Sequence, residues 1–489
     1  MRREFLLLLF ILGLGVFLRV YNIQHTLLFH FDQGYHGLAI KEIWETKRLA
    51  LLGHKTDVEG IFHGSTFYYL MLPFYLFSGW DPAKVSSLLA IIDGFAIIFV
   101  FLIGKEMFDK RAGLLAALFY AVSYSLVSYA RWLSNVTLIP FFSTVFFYSL
   151  LRAYQGKLKF LPLAFFCAGL ITQFNGAIGF FFLPLLVFSL YRLRKKLFSK
   201  KLYLLISMIF FLLPILPLVF FEFRHNFLVS RSILHLFLQQ DTSGLSFQRV
   251  FSNFTLLKSE LVNLFSYKLP VVTLALFILT LFAAWWSWFK NKKEFSRLKK
   301  LLIFLLLPIA GLFFYQKGIH GFFFVGTLPL FILFVSWGLS FWWEKTGLRL
   351  PIAVFILFLI LLNLYYWQGF LKPGFNLVPI GTRNLITLED RKKAVDFIYN
   401  NAGGKSFNTS IYIIPYSQYQ PWDYVFSWYG EDKYGFLQSE FAGESFVIYE
   451  PDYDFPYRLD SWLGKIGEDH GQVVASFKAH DLTVEKRER

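Results

Sequence analysis

The stretch that decides the fold is the first apolar run, residues 4–20, which reads EFLLLLFILGLGVFLRV. A transmembrane helix needs about 20 residues, and about 17 at the short end, so this run is long enough to cross a bilayer. Arg2 and Arg3 precede it but no small-residue cleavage site follows, which indicates a retained span and not a cleaved signal peptide. Similar runs recur as far as Phe370, and we therefore predict an all-α polytopic membrane protein.

The composition agrees with that class and excludes others. Of the 489 residues, 56% are hydrophobic and 16% are charged, whereas soluble domains carry roughly 25% charged residues. The formal charge of +16 comes from Lys and Arg in short loops between apolar runs. This pattern is typical of cytoplasmic loops beside anionic lipid and not of nucleic-acid binding. A single cysteine, Cys167, excludes an intramolecular disulfide and a cysteine-based zinc site.

The apolar runs set the number of spans. About eleven are predicted, at residues 4–20, 83–103, 112–129, 136–151, 158–172, 174–191, 202–221, 269–289, 301–315, 321–342 and 350–370. Another piece, Phe67–Phe77, is too short to span comfortably. If it does not span, all the strongly basic loops face the cytoplasm, as the positive-inside rule requires. We therefore predict a surface helix along the outer interface there, with Tyr68, Tyr69 and Tyr75 at headgroup depth.

With an odd number of spans and all the basic loops in the cytoplasm, the N-terminus is predicted in the cytoplasm and the C-terminus outside. This topology divides the chain into a membrane domain, residues 1–370, whose first outer loop is residues 21–82, and a C-terminal extracytoplasmic α/β domain, residues 371–489. Helical and strand patterns alternate in the tail. The helices are predicted at Glu389–Asn400 and Tyr457–Ile466, and the strands at Ser410–Ile414, Ser445–Glu450 and Gln472–Phe477.

The first outer loop carries an acid, Asp32, in the stretch Phe31-Asp32-Gln33-Gly34. Apolar residues at 35, 38, 39 and 43 follow at helical spacing, which predicts an amphipathic helix on the membrane with Asp32 just before its start. Asp32 could simply cap this helix, as acids often do. The local sequence leaves the capping and the functional readings open.

Polar groups at other outer span ends favour the functional reading. Arg131 lies in a short outer turn, Glu222, Arg224 and His225 end the seventh span, and Lys317 lies in a further turn. Such groups are costly near lipid unless they line a wet cavity. Together they predict an active-site cavity at the outer interface.

Asp93 is a separate case, because it lies near the middle of its span, about 15 Å from either surface by helical rise. An ionisable residue at that depth is a candidate for function. It is too deep to join the outer cluster, so we interpret it as a buried structural contact. The chain has no glycine-rich phosphate loop after a strand, which leaves nucleotide-dependent transport without support.

Four stretches in order carry a resemblance to a known superfamily. They are Phe31–Gly34, then His63-Gly64-Ser65-Thr66-Phe67-Tyr68-Tyr69-Leu70, then Gly104–Leu114 at a cytoplasmic turn, and Ser128–Arg131 after the third span. Over residues 1–370 the chain resembles the GT-C membrane glycosyltransferases, of the protein O-mannosyltransferase and lipid A aminoarabinose transferase kinds. Many relatives have Asp-Glu where this chain has Asp32-Gln33, and prolines where it has Gly64 and Ser65.

The resemblance implies a GT-C fold of about eleven transmembrane helices, with interfacial helices in the first outer loop. It implies inverting transfer of a sugar from a polyprenyl-phosphate donor to an acceptor hydroxyl on the extracytoplasmic side, with Asp32 as general base. A carboxylate in that role can supply roughly 10²–10⁴-fold. Candidates to bind the donor phosphate and sugar are Arg131, Glu222, Arg224, His225, Lys317 and His63. The partners would be the lipid-linked donor, membrane lipid and a protein, glycan or lipid acceptor.

Other readings remain open from the sequence. A divalent cation could be bound by His36, Asp57, Glu59 and His63, although their spacing matches no recognised ligand pattern. The chain could be a secondary transporter or lipid flippase, which Asp93 alone favours. A receptor-like module on a membrane anchor is a third reading, for which about eleven spans are too many. The sequence identifies neither the sugar, nor the lipid length, nor the acceptor.

Overall fold

The structure of the protein is a computed structural model, which describes residues 2–238, 247–313, 318–371, 385–414, 416–436 and 444–488. Up to residue 371 its elements are almost all helical. They are α1 (Arg2–Val20), α2 (Ile23–Thr26), α3 (Phe31–Thr46), β1 (Leu52–Lys55), β2 (Phe62–Gly64), α4 (Thr66–Ser78), α5 (Pro82–Gly94), α6 (Ala96–Met107), α7 (Lys110–Val122), α8 (Tyr124–Arg131), α9 (Ile139–Tyr154), α10 (Leu161–Phe174), α11 (Gly176–Ser199), α12 (Lys201–Arg224), α13 (Leu228–Leu238), α14 (Phe247–Phe265), α15 (Pro270–Lys290), α16 (Lys292–Phe313), α17 (Leu328–Trp343) and α18 (Arg349–Trp367).

Each predicted apolar run falls on a helix or on two consecutive helices. By length and composition, five helical segments of the described chain can cross a membrane, or six if the bent pair α7–α8 is one span. The count of about eleven spans therefore stays a prediction. α17 is buried from Leu328 to Phe341, whereas only 11% of the most apolar window of α12 is buried. This contrast is expected of a central helix and of a helix that faces lipid.

The bend between α7 and α8 measures 55° and falls at Ser123. Side chains from distant helices bond the groups around the break. Asn363 Oδ1 accepts from Tyr124 N at 2.9 Å, and Ser123 Oγ donates to Leu264 O at 2.8 Å. A break in an apolar helix is tolerated where such partners replace the lost backbone bonds.

Asp93 is held in a buried ion pair, which confirms the structural interpretation. Arg19 Nε donates to Asp93 Oδ2 at 2.9 Å, and Tyr120 OH donates to Asp93 Oδ1 at 3.0 Å. The remaining Arg19 nitrogens donate to the backbone oxygens of Gly15, Tyr120 and Ala121. The pair thus links α1, α5 and α7, and both carboxylate oxygens already have a donor.

The first outer loop contains the predicted helix, but its start is different. α3 begins at Phe31, so Asp32 lies within the first turn and not before it. The N-cap residue is His30, whose backbone N donates to Gln33 Oε1 at 2.9 Å. The capping reading of Asp32 is therefore wrong. The loop also contains an antiparallel hairpin, β1–β2, that the sequence analysis did not predict.

The predicted helix at Phe67–Phe77 is present as α4. Tyr68 and Tyr75 are buried within the protein, and Tyr69 OH donates to Ala50 O at 2.6 Å. The headgroup depth of these rings stays a prediction, because burial against other helices does not measure depth in the bilayer. Phe77, at 88% exposure, lies on the outward face of α4.

The described tail is a small α/β domain. Its elements are α19 (Leu388–Ala402), β3 (Phe407–Tyr412), α20 (Gln420–Val425), α21 (Glu431–Tyr434), β4 (Glu444–Tyr449), α22 (Pro456–His470), β5 (Gln472–Ala479) and β6 (Leu482–Glu488). The sheet order is β3-β4-β6-β5, with β3 and β4 parallel and the other pairs antiparallel. Both predicted helices and all three predicted strands are confirmed. β6 was not predicted from the sequence, because Leu482 and Val484 are followed by five charged residues, 485–489.

Candidate active site

A cavity of about 850 Å³ lies between the first outer loop and the ends of several apolar helices. One wall is polar and comes from α3, the β1–β2 hairpin and the end of α10. The opposite wall is apolar and comes from α11, α12 and α13, through Phe180, Phe181, Leu218 and Leu236. A cavity with a polar end and a long apolar end suits an amphiphilic ligand.

Asp32 lines this cavity and is half-buried. No residue in the described ranges gives its carboxylate a hydrogen bond or an ion pair. Burial raises the pKa of the Asp32 carboxyl; the positive charge of His54 opposes this rise, and the negative charge of Asp57 adds to it. A general base works best when its pKa is near the operating pH, so a carboxylate with a raised pKa is suited to proton abstraction.

Gln33 explains why this chain lacks a second acid beside Asp32. It is 1% exposed; its Oε1 accepts from His30 N, and its Nε2 donates to Leu133 O at 3.1 Å. A carboxylate has no hydrogen to donate to Leu133 O, and it would be buried beside that carbonyl. Gln33 thus ties the start of α3 to the turn after α8, and Asp32 is left as the acid on this stretch.

The hairpin brings two histidines beside α3. The rings of His54 and His63 are nearly parallel, with centroids 6.3 Å apart, and the His36 ring is 6.1 Å from that of His54. Burial lowers the pKa of His36 to about 3 and that of His63 to about 4. Both imidazoles are therefore neutral at pH 7 and offer one donor and one acceptor each.

Several buried polar atoms of this wall have no hydrogen-bond partner within the described residues. They include His36 Nδ1, His63 Nδ1 and Gln173 Oε1. Gly64 lies so close to Gln173 that a Cβ at residue 64 would overlap the Gln173 amide. Buried polar atoms are nearly always paired in folded proteins, and unpaired ones call for a ligand or water. Each of these atoms therefore keeps an unused hydrogen-bonding position within the described part of the chain.

Arg131 lines the cavity but already has protein partners. Its Nη1 donates to Arg19 O at 2.9 Å and to Tyr21 O at 2.7 Å, and its Nη2 donates to Thr26 Oγ1 at 2.6 Å. Its guanidinium also lies 4.3 Å from the ring centroid of Phe370. Arg131 therefore holds the end of α1 in place, and it reaches the cavity with only part of its hydrogen-bonding capacity.

The cluster at the end of the seventh span does not line the cavity. Glu222 accepts from Val229 N at 2.8 Å and from Ser230 N at 2.9 Å, so it caps the start of α13. Arg224 and His225 are exposed, and the His225 ring stacks on Phe221 at 4.0 Å. These three residues therefore lie outside the cavity, and their assignment to donor binding stays a prediction from the sequence. Lys317 lies outside the described residues.

Sequence reasoning missed two polar residues of the cavity, Lys55 and Gln173, and the pairing of Asp57 with His320. Lys55 ends β1 and is exposed, without an ion-pair partner in the described part of the chain. His320 Nε2 lies 3.6 Å from Asp57 Oδ2, at the tip of the hairpin. The sequence held a signal for the hairpin, because Gly53-His54 and His63-Gly64 flank a polar segment that contains Gly60. In the structure Gly60 has φ +73°, as a turn glycine does.

A metal site finds no support in these residues. Among the residues that the structure describes, no group of three or more His, Cys, Asp and Glu side chains could hold a metal ion. His36, Asp57, Glu59 and His63 form no such group, and a divalent cation stays a prediction from the sequence.

Comparisons with known proteins show which folds and families the chain is similar to. Residues 65–221 match the family model described as dolichyl-phosphate-mannose-protein mannosyltransferase. ArnT from Cupriavidus metallidurans bound to undecaprenyl phosphate superposes with a TM-score of 0.60 at 10% identity, over 98% of this chain and 97% of that one. The chain has the GT-C fold. The resemblance inferred from its sequence is thereby confirmed.

Two archaeal structures extend the likeness. AglB from Archaeoglobus fulgidus, in complex with an inhibitory peptide and a dolichol-phosphate, superposes with a TM-score of 0.52 at 14% identity, over 91% of this chain and 69% of that one. The Archaeoglobus fulgidus oligosaccharyltransferase tethered to an acceptor peptide gives 0.55 at 14% identity, over 99% and 74%. No curated protein matches the sequence. Asp32, His36 and His54 lie before the segment that the family model matches, whereas Arg131 and Gln173 lie within it.

Proposed function

We propose that this protein is a membrane glycosyltransferase that moves a sugar from a polyprenyl-phosphate donor to an acceptor hydroxyl, with inversion, on the extracytoplasmic side. The observation that carries the proposal is the position of Asp32. Its carboxylate has no partner among the described residues and lies on the wall of a cavity with neutral polar groups at one end and apolar side chains at the other.

Asp32 is the proposed general base. In one displacement, the bond from the acceptor oxygen to the sugar C1 forms while the bond from C1 to the phosphate oxygen breaks. The acceptor proton passes to the Asp32 carboxylate, and the electron pair of the broken bond leaves with the polyprenyl phosphate. An unpaired carboxylate can take that proton without first losing another hydrogen bond. The attack comes from the face opposite the phosphate, so the anomeric centre inverts.

The leaving phosphate gains negative charge, which cations must stabilise. Lys55 is the best-placed cation, because it lines the cavity and has no ion-pair partner in the described chain. Arg131 is the second, through the hydrogen-bonding capacity that its contacts to Arg19, Tyr21 and Thr26 leave free. Lys317 stays a candidate from the sequence. No step of the proposal passes through a metal.

The neutral polar wall is the proposed site for the sugar. His36, His63 and Gln173 present unpaired atoms there, as an uncharged polyol requires. The apolar wall of Phe180, Phe181 and Leu218 would hold the first isoprene units. Two structures of the same fold support a lipid-phosphate ligand, since ArnT was solved with undecaprenyl phosphate and AglB with a dolichol-phosphate. The acceptor can be a protein, a glycan or a lipid.

The alternative of a transporter or flippase loses its one supporting residue. Asp93 is neutralised by Arg19 and hydrogen-bonded by Tyr120, and it does not line the cavity. Transporters place unsatisfied polar groups at the membrane midplane. Here the unsatisfied groups in the cavity belong mainly to the first outer loop.

The test is a transfer assay on the purified full-length protein in lipid nanodiscs. It would be offered a panel of radiolabelled sugars on undecaprenyl and dolichyl monophosphate, together with peptide, glycan and lipid acceptors. We expect label to leave one donor with release of the free polyprenyl phosphate, and the product to carry the inverted anomeric configuration. Retained label on every donor, or movement of an intact donor across the bilayer, would overturn the proposal.

A further inference from the structure

The C-terminal domain is built into the first outer loop. Phe29 N donates to Ile386 O at 3.2 Å, and Leu388 N donates to Leu27 O at 2.8 Å. These bonds form an antiparallel bridge between Leu28 and Thr387, which lie 359 residues apart in the chain. The residues just before α3 are thus paired, backbone to backbone, with the residues just before α19.

A buried arginine reinforces this junction. Arg391 is 0% exposed; its Nε donates to Phe29 O at 2.9 Å, and its Nη2 donates to Glu450 Oε1 at 2.9 Å. Its guanidinium lies 4.7 Å from the ring centroid of Trp422. A buried cation is costly unless it is paired and hydrogen-bonded, as Arg391 is through Nε and Nη2, while its Nη1 has no partner among the described residues. The position of the Phe29 carbonyl, three residues before Asp32, is therefore fixed by a group in the C-terminal domain.

A second contact lies along α3 itself, where α20 packs against two glycines. A Cβ at Gly34 would lie 2.5 Å from the backbone carbon of Gln420, and a Cβ at Gly37 would overlap the ring of Tyr424. One turn further on, Lys41 Nζ donates to Ser427 O at 2.7 Å. Any larger side chain at these glycines would push α3 away from α20.

The face that meets α20 is opposite the face that meets the cavity. Successive helical residues turn by about 100°, which puts Gly34, Gly37 and Lys41 on one side of α3. The same rotation puts Asp32 and His36, which both line the cavity, on the other side. A shift of α3 at its glycine face therefore moves Asp32 relative to the cavity.

We propose that the C-terminal domain is a positioning element for the base, acting through Arg391 at the start of α3 and through α20 on its Gly34–Gly37 face. This inference rests on the proposed role of Asp32. It goes beyond the proposed function, because it gives the C-terminal domain a part in turnover. A domain that only selected the acceptor would not need these contacts to α3, the helix that carries Asp32.

The test compares two glycine substitutions in the full-length protein. Gly37→Ala places a methyl group against Tyr424, whereas Gly464→Ala on α22 places the same group in a region with no atom within 4 Å. Two readouts are measured: amide hydrogen exchange of residues 31–46, and kcat and KM for the lipid donor. For Gly37→Ala we expect exchange at least tenfold faster in 31–46, kcat at least tenfold lower, and a donor KM within about threefold of the parent. Gly464→Ala should match the parent on every readout.

Exchange and kcat for Gly37→Ala equal to those of Gly464→Ala would overturn the inference. Should Gly37→Ala fail to fold, Lys41→Met decides, since it removes the bond to Ser427 O and a 3.8 Å ion pair with Glu45 within α3, and leaves the glycine contacts intact. We expect it to lower kcat at least threefold at constant donor KM, and parent-like values would again overturn the inference. Failure of the proposed function is distinguishable, because it appears as no transfer by the parent protein, while the exchange measurement still reports on the hold of α20 on α3.

Discussion

At the scale of single residues, the cavity holds groups that do not stabilise the fold. Asp32 is half-buried without a partner, and His36 and His63 keep unpaired ring nitrogens among the described residues. Burial raises the pKa of Asp32, so its ionisation opposes folding above that pKa and has no effect below the lower value of the unfolded chain. Groups kept at such a cost are expected at functional sites.

The pH dependence of turnover should report on Asp32. A base must be ionised, so kcat/KM falls as the pH drops through the pKa of Asp32, at a higher pH than for an ordinary aspartate. Asp57→Asn removes a charge that raises this pKa and should shift the acid limb to lower pH. His54→Gln removes a charge that lowers it and should shift the limb to higher pH. Shifts in the same direction, or none, would contradict the assignment of this limb to Asp32.

Some residues that the sequence singled out line the cavity and others do not, for one reason. Asp32 and His63 lie in the first loop, which the positive-inside rule predicts at the outer surface, and both line the cavity. A predicted span ends, on its outer side, at Glu222, Arg224 and His225. Side chains at the end of a helix project in all directions around its axis, so only some of them can face a given cavity. The direction of each side chain depends on α13, which Glu222 caps and which no sequence pattern had placed.

At the scale of elements, the β1–β2 hairpin is the part that completes the polar wall. It was not predicted, because strands of four and three residues are too short to show an alternating pattern. Its pairing of Leu52 with Gly64 and of Lys55 with Phe62 places His54, Lys55 and His63 on one side of the cavity.

The position of Lys55 on the hairpin leads to a prediction about binding of the donor phosphate. Lys55→Met should reduce kcat/KM for the lipid donor by about tenfold to a hundredfold, since a hydrogen bond to a charged group contributes about 1.5–3 kcal/mol. The matched control is Arg224→Ala, a cation that the sequence favoured but that lies off the cavity. It should leave kcat/KM within about twofold of the parent. Steady-state kinetics at varied donor concentration measure both, and equal losses for the two variants would exclude Lys55 as the phosphate ligand.

At the scale of the whole molecule, the apolar runs predicted the helices well, because hydrophobic length is a local property of the sequence. The junction of the C-terminal domain with the first loop could not be predicted, since Arg391 contacts Phe29 across 362 positions of the chain. The periodic pattern of apolar residues predicts local helices and strands, and it carries no information about contacts between residues so far apart in the chain. The spacing of Gly34 and Gly37 within a predicted helix was the only local sign of a close approach there.

The buried ion pair between Arg19 and Asp93 leads to a prediction about the stability of the whole protein. It joins α1 to α5 and, through Tyr120, to α7. Breaking a buried ion pair by removing one partner costs about 3–5 kcal/mol, so Asp93→Asn should lower the thermal midpoint markedly. Where the variant remains folded, its donor KM should equal that of the parent. An unchanged midpoint with abolished solute or lipid flux would favour the transporter reading instead.

The most direct test of the central claim is sugar transfer by Asp32→Asn, measured beside its thermal midpoint and its affinity for the lipid donor. Loss of the base should reduce kcat by roughly 10²–10⁴-fold. The thermal midpoint at neutral pH should be no lower than that of the parent, because the substitution removes a half-buried charge without a partner in the described chain, and donor affinity should be retained. Transfer at near the parent rate by a folded Asp32→Asn protein would show that Asp32 is not the base.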